Sequence, residues 1–145
     1  EGGPKVIEFN ARFGDPETQV FMRVLETDLV DILFACINKN LKKQEIKWSG
    51  ASACCVVCIS SGYPGNYEKG KVINGLNSIE NKNIKIFHAG TKLKGDEVIT
   101  SGGRVLGVTA TTSSLKEALA KSYKAIKSVS FEGIKYRKDI GAKSI

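Results

Sequence analysis

Between Ala53 and Ala110 the chain breaks into short β-rich runs, which constrain it to a sheet of short strands joined by tight connections. Ala53 to Ile59, Lys71 to Ile73, Ile84 to His88, Glu97 to Thr100 and Arg104 to Ala110 are separated by Gly, Asn and Pro. Lys94-Gly95-Asp96 reads as the tip of a hairpin. Beyond the runs, Ser114 with Glu117 forms a capping box, and Leu115, Leu119, Tyr123 and Ile126 keep one stripe of a helix. The predicted fold class is α+β, because a small antiparallel sheet crossed on one face by that helix is the simplest way to bury both. Cys54, Cys55 and Cys58 fall inside the first run, where Cys54 and Cys58 share one face and Cys55 takes the other. Without a second matching pair, and with His88 the only histidine, the cysteines read as small apolar core residues of a reducing cytosol rather than a zinc site.

The first third of the chain reads differently. Asp15-Pro16 predicts a helix entry, with Asp15 as N-cap acceptor and Pro16 at the first helical position. Phe21, Val24 and Leu25 follow at helical spacing. Thr27-Asp28 restarts the helix, and Leu29, Leu33, Cys36 and Ile37 form its apolar stripe. Trp48-Ser49-Gly50 marks a boundary, dividing the chain into residues 1–49 and 50–145.

Ahead of that helix lies the stretch richest in chemistry. Val6, Ile7 and Phe9 have the character of a buried strand, in which Glu8 and Asn10 project to one face. A carboxylate beside an amide carbonyl suits Mg²⁺, which takes one or two protein carboxylates and fills its remaining positions with phosphate oxygens and water. Arg12 continues the alternation and can fork two phosphate oxygens. The same pattern also describes an exposed strand face bearing a solvated Glu and Arg.

The run VIEFNARFGDPETQ at Val6 to Gln19 closely resembles the last ATP-grasp segment of the glycinamide ribonucleotide synthetase family, the phosphoribosylamine-glycine ligases. Further motifs agree in order: GYPGNYEKG at Gly62 to Gly70, FHAGTKL at Phe87 to Leu93, SGGRVLGVTA at Ser101 to Ala110, and FEGIKYRKDIG at Phe131 to Gly141. Asn66 stands where the family commonly has Asp, and both suit a turn.

The resemblance implies that residues 1–49 hold the last strand and helices of an ATP-grasp domain and that residues 50–145 form the family's C-terminal domain. It implies a cytoplasmic enzyme of purine biosynthesis that joins glycine to 5-phosphoribosylamine with ATP as cosubstrate, through an acyl phosphate. Glu8 and Asn10 would ligate Mg²⁺ or Mn²⁺, and Arg12 would stabilise the phosphoryl oxygens. Asp15 either caps its helix or holds the glycine ammonium group. His88, Gly90 and Thr91, together with Gly102-Gly103-Arg104, resemble loops facing the active site; ordinary hairpin turns have the same composition. Arg137 and Lys138 either hold the ribose phosphate or are solvated. The family's preceding domains have no counterpart here, and the chain starts at Glu1 without an initiator Met. It therefore reads as a C-terminal portion that needs the missing N-terminal part of the same enzyme as partner and is inactive alone.

A net charge of +7 raises a second class, a noncatalytic basic module binding nucleotide, nucleic acid or a protein partner. The lysines are scattered, with no dense basic arm, and nucleic acid is disfavoured. No apolar run approaches the roughly 18 residues of a membrane span.

Overall fold

The computed structural model describes residues 2–79 and 81–144. Its helices are α1 (Glu17–Val24), α2 (Leu29–Ile37) and α3 (Leu115–Ile126), and its strands are β1 (Ser52–Ser60), β2 (Ile84–His88), β3 (Thr91–Lys94), β4 (Glu97–Thr100), β5 (Arg104–Thr112) and β6 (Ile134–Lys135). One sheet has the order β2-β5-β1-β6 with antiparallel neighbours, and β3 pairs with β4 in a separate hairpin. The architecture is α+β with antiparallel sheets. No described helix is long and apolar enough to cross a membrane.

The β1–β5 pairing forms the centre. Ser52 lies opposite Thr112 and Val56 opposite Val108; a shift between Cys58 and Ile59 then sets Arg104 opposite Ile59. Alternation along β1 sends Cys54, Val56 and Cys58 toward α3, where Cys54 Sγ lies 3.2 Å from Ser122 Oγ. Cys55 points the other way, toward Gly107 and Gln19 of α1. The core joins Val56, Leu106 and Val108 to Ala125, Ile126 and Phe131. Each large aliphatic side chain buried there contributes about 1.5–3 kcal/mol relative to exposure.

The stripe read in α3 is buried through Leu119 and Ile126, with Leu115 and Tyr123 partly covered. Ser114 Oγ accepts from Glu117 N at 3.3 Å, but the Glu117 carboxylate turns to Lys121 at 2.9 Å, so only half of the capping box forms. Tyr123 donates to the Arg137 carbonyl and accepts from Ile140 N, which ties the C-terminal segment back to α3.

Two strands escape sequence reading. Thr-Lys-Leu-Lys at β3 lacks an apolar alternation because Lys92 to Lys94 face solvent, with Leu93 73% exposed. β6 has two residues, too few for any period. Conversely, Lys71 to Ile73 is no strand. It makes backbone bonds to β4, such as Ile73 N to Val98 O at 2.8 Å, yet amounts to a single bridge at Val72.

The N-terminal expectations need larger correction. Residues 2–10 form no strand, and Val6, Ile7 and Phe9 are 72%, 96% and 90% exposed. An isolated strand has no ladder partner for its backbone groups, and none is provided among the described residues. In α2, Asp28 caps by accepting from Val30 N at 2.7 Å, but the expected stripe is open, with Leu33, Cys36 and Ile37 exposed and only Ala35 buried. Nothing among the described residues covers that face. Pro16 occupies the cap position of α1 rather than the first helical one, and no side chain caps the helix. The Asp15 carboxylate is engaged elsewhere.

Burial separates the thiols. Desolvation raises the Cys54 thiol pKa, lifts Cys55 to about 11 and Cys58 to about 12, and all three are buried whereas Cys36 is exposed. Iodoacetamide at pH 8 should therefore label Cys36 alone in the native chain, as mass spectrometry would show; rapid labelling at Cys58 would contradict the β1 packing. Because folding raises these thiol pKa values above the ordinary 9.0, the unfolded chain loses its protons first. Their stabilising contribution is complete below pH 9 and fades as pH climbs toward 12, which denaturant titrations across that range would detect. A second test concerns the loop at 61–67: a methyl group on Gly103 would lie 2.0 Å from a Tyr63 ring carbon. Gly103→Ala should cost about 1–3 kcal/mol in denaturant unfolding, since overpacking must displace the ring or the strand.

Candidate functional site

Although residues 2–10 form no strand, alternate side chains there do meet. Asn10 Nδ2 donates to Glu8 Oε1 at 3.0 Å, and Arg12 Nη1 donates to Asn10 Oδ1 and, at 3.1 Å, to the Phe13 carbonyl. These two side-chain hydrogen bonds link Glu8, Asn10 and Arg12 into one exposed row. The row offers one carboxylate, one amide oxygen and one guanidinium. That donor set fits Mg²⁺ or Mn²⁺ shared with phosphate oxygens, provided the Asn10 oxygen exchanges Arg12 for the cation. Among the described residues no group of three or more His, Cys, Asp or Glu could hold a metal, so the row is at most a partial coordination sphere.

The row leads into the loop at 12–16, which meets the sheet through Asp15 and Arg104. Arg104, at the start of β5, donates Nη1 to the Asp15 carbonyl at 3.0 Å and brings Nη2 within 3.2 Å of Asp15 Oδ2. The other carboxylate oxygen accepts from Gln19 Nε2 at 2.8 Å. Asp15 thus does not cap α1: two partners from β5 and α1 hold its carboxylate. Sequence reading offered Asp15 and Arg104 as separate substrate contacts; the fold makes them each other's partners across 89 residues.

Arg12, Asp15 and His88 converge on one cleft of about 370 Å³ that also includes Thr18, Met22 and Phe87. His88 is exposed, with Nδ1 3.0 Å from Thr91 Oγ1 within the β2–β3 connection. Gly90 serves packing. A Cβ on it would fall 2.5 Å from Gly102 Cα, and both Gly90 and Gly102 spend their N–H groups on backbone, to the Arg104 and Gly90 carbonyls. The expected anion cradle of consecutive glycine N–H groups is therefore not formed at Gly102, and its glycine is explained by close chain approach.

Arg104 and Arg137 line an adjoining apolar cavity of about 340 Å³ with Pro16, Cys55, Tyr63 and Ile140. The Arg137 fork is occupied by Asp139, at 2.9 and 2.7 Å, which holds the Asp139 carboxyl below its ordinary value. Lys138 is exposed and stands outside this group. Sequence reading overlooked Tyr63, whose ring seats the 61–67 loop on Gly103, and Lys71, which bridges Glu68 at 2.8 Å and Glu132 at 2.9 Å. Hydrogen bonds to Glu68 and then Glu132 raise the Lys71 pKa. Neither residue sits in a periodic pattern, and Lys71 meets Glu132 only through the fold.

Comparison with known proteins places this geometry in a family. The description "Phosphoribosylglycinamide synthetase, C domain" matches residues 53–143. A phosphoribosylamine–glycine ligase of Synechocystis is 48% identical over 145 residues, covering 99% of this chain and 35% of that protein. A bifunctional purine biosynthetic protein of Dictyostelium discoideum is 51% identical over 144 residues, covering 97% of this chain and 17% of that protein. The crystal structure of a phosphoribosylamine–glycine ligase from Thermotoga maritima superposes with a TM-score of 0.70 at 32% identity, covering 94% of this chain and 33% of that one. The chain spans about a third of the Synechocystis and Thermotoga proteins. With the match running through β1, β5 and α3, the chain belongs to the phosphoribosylglycinamide synthetase family, whose C domain its residues 53–143 match.

Proposed function

We propose that this chain is the C-terminal part of an ATP-dependent ligase that joins glycine to 5-phosphoribosylamine, giving glycinamide ribonucleotide, ADP and phosphate. Residues 1–49 would close an ATP-grasp domain supplied mainly by the rest of the parent enzyme, and residues 50–145 would form its C-terminal domain. The observation that carries the reading is the hydrogen-bonded row of Glu8, Asn10 and Arg12, present in a chain that aligns over 99% of its length with a protein named as such a ligase. The exposed Val6, Ile7 and Phe9 between and beside the row are the apolar side chains that a neighbouring strand of that domain would cover.

In this reaction a glycine carboxylate oxygen attacks the γ-phosphorus of ATP, and ADP leaves. The phosphoribosylamine nitrogen then attacks the carbonyl carbon of the glycyl phosphate, loses a proton, and expels phosphate. Both reactants in the first step are anions, so neutralising charge is the main demand on the site. A bound Mg²⁺ or Mn²⁺ would supply that neutralisation. Glu8 and Asn10 would hold the cation, the amide adding an oxygen without a second negative charge. Arg12, released from Asn10, would face the phosphoryl oxygens with a planar fork. His88, hydrogen-bonded to Thr91, lines the cleft that Arg12 and Asp15 also line, and would contact substrate there. Lys138 would meet the ribose phosphate, as would Arg137 once freed from Asp139. The parent would act in the cytoplasm.

A direct test joins this chain to the part of the Synechocystis enzyme that it does not match and measures glycine-dependent phosphate release from ATP. Turnover should appear in the assembled enzyme and be absent from the chain alone. Glu8→Ala and Asn10→Ala should each lower kcat/KM by about a hundredfold, equivalent to about 2.7 kcal/mol of transition-state stabilisation. Arg12→Lys, which keeps charge but loses the fork, should cost about tenfold. Full turnover in the Glu8 and Asn10 variants would refute the assignment.

A further inference from the structure

We infer that Arg104 is a positioning residue: from the start of β5 it grips the 12–16 loop and thereby sets where the Glu8, Asn10 and Arg12 row stands relative to the sheet. The consequence for cation binding rests on the ligase reading above; the grip itself does not.

The contacts between α1 and the sheet show why such a grip matters. α1 has no fully buried residue. Beneath it, Thr109 and Thr111 lie opposite Cys55 and Ala53 in the register and therefore face α1. The buried atoms Thr111 Oγ1, Gln19 Oε1 and Arg23 Nε have no hydrogen-bond partner among the described residues. Polar atoms buried without partners weaken a contact rather than secure it, and Val20, Met22 and Val24 of α1 are only half-buried, so apolar packing alone holds this helix weakly. Directional tethers at its two ends do the rest. At its C-terminal end Arg23 Nη2 donates to the Lys82 carbonyl and Ser49 N donates to the Val24 carbonyl, both at 2.8 Å. At its N-terminal end Arg104 holds both the carbonyl and the carboxylate of Asp15. Only the N-terminal tether lies beside the row, three residues from Arg12. The guanidinium fork reaches two oxygens of one residue at once, which fixes orientation as well as distance. Asp15 lies ahead of the matched residues 53–143 and Arg104 within them, so the contact joins the two parts of the chain.

The test uses hydrogen exchange on the 145-residue chain, which needs no nucleotide. In Arg104→Met, amides of Glu17 to Val24 should exchange at least about tenfold faster, with β1 and β5 unchanged. Arg104→Lys should fall between, because an ammonium cannot span both oxygens. Asp15→Asn removes the charge that Arg104 pairs with, and should speed α1 exchange about threefold. Adding Asp15→Asn to Arg104→Met should change little further, since one interaction is lost in both. Wild-type protection of α1 in Asp15→Asn and Arg104→Met would overturn the inference; if Arg104→Met unfolds β5, Asp15→Asn decides alone.

In the assembled enzyme, Arg104→Lys should raise the Mg²⁺ concentration for half-maximal turnover about fivefold and leave KM for phosphoribosylamine within about twofold. The reverse pattern would make Arg104 a substrate ligand and overturn the positioning role. An assembled enzyme without turnover would count against the ligase reading, and the exchange data would still decide on the grip.

Discussion

The antiparallel pairing of β1 with β5 is the interaction on which the rest of the structure depends. It satisfies one backbone edge of each long strand, buries Val56, Leu106 and Val108 against α3, and leaves Cys55, Gly107 and Thr109 facing α1. β2 extends the sheet from β5 and β6 from β1. The register shift beside Ile59 determines where β5 begins, and with it the point from which Arg104 reaches Asp15. A local irregularity at one end of the pairing thus decides how the N-terminal loop meets the sheet. A classification by elements alone would miss this coupling, because it runs through a single side chain.

The two faces of the sheet differ in kind. On one, α3 packs with Ala118, Leu119, Ala125 and Ile126 in a mainly apolar contact that also holds the Cys54–Ser122 pair. On the other, α1 sits over hydroxyl and amide groups without partners and is held at its ends by arginines. Apolar burial is non-directional and tolerates small shifts, whereas charge-assisted hydrogen bonds specify geometry. A row proposed to hold a cation gains more from the second kind of attachment.

Where burial dictates residue type, the sequence was informative. The face alternation of Cys54, Cys55 and Cys58, the stripe of α3, and the turn between β3 and β4 all follow from local pattern, because each side chain faces either core or water within this chain. Legibility failed where that condition fails. Val6, Ile7 and Phe9 carry the pattern of a buried strand but have no partner among the described residues. β3, with both faces open to solvent, carries no pattern. The two-residue spacing of Glu8, Asn10 and Arg12 was legible, whereas the Asp15–Arg104 pair was not: its members are 89 positions apart, and each has a satisfactory local explanation as a cap or a turn residue. Gly90 and Gly102 illustrate the same limit, since a glycine required by a distant chain looks no different from one that cradles an anion.

The arrangement of oxygens near the amino end is the feature that most needs direct observation. Anomalous diffraction from Mn²⁺ in crystals of the assembled enzyme, grown with a nonhydrolysable ATP analogue, would locate the cation independently of activity. A peak about 2.0–2.3 Å from oxygens of both Glu8 and Asn10, shared with the nucleotide phosphates, is the predicted result. A cation bound to the phosphates but more than about 4 Å from both side chains would contradict it.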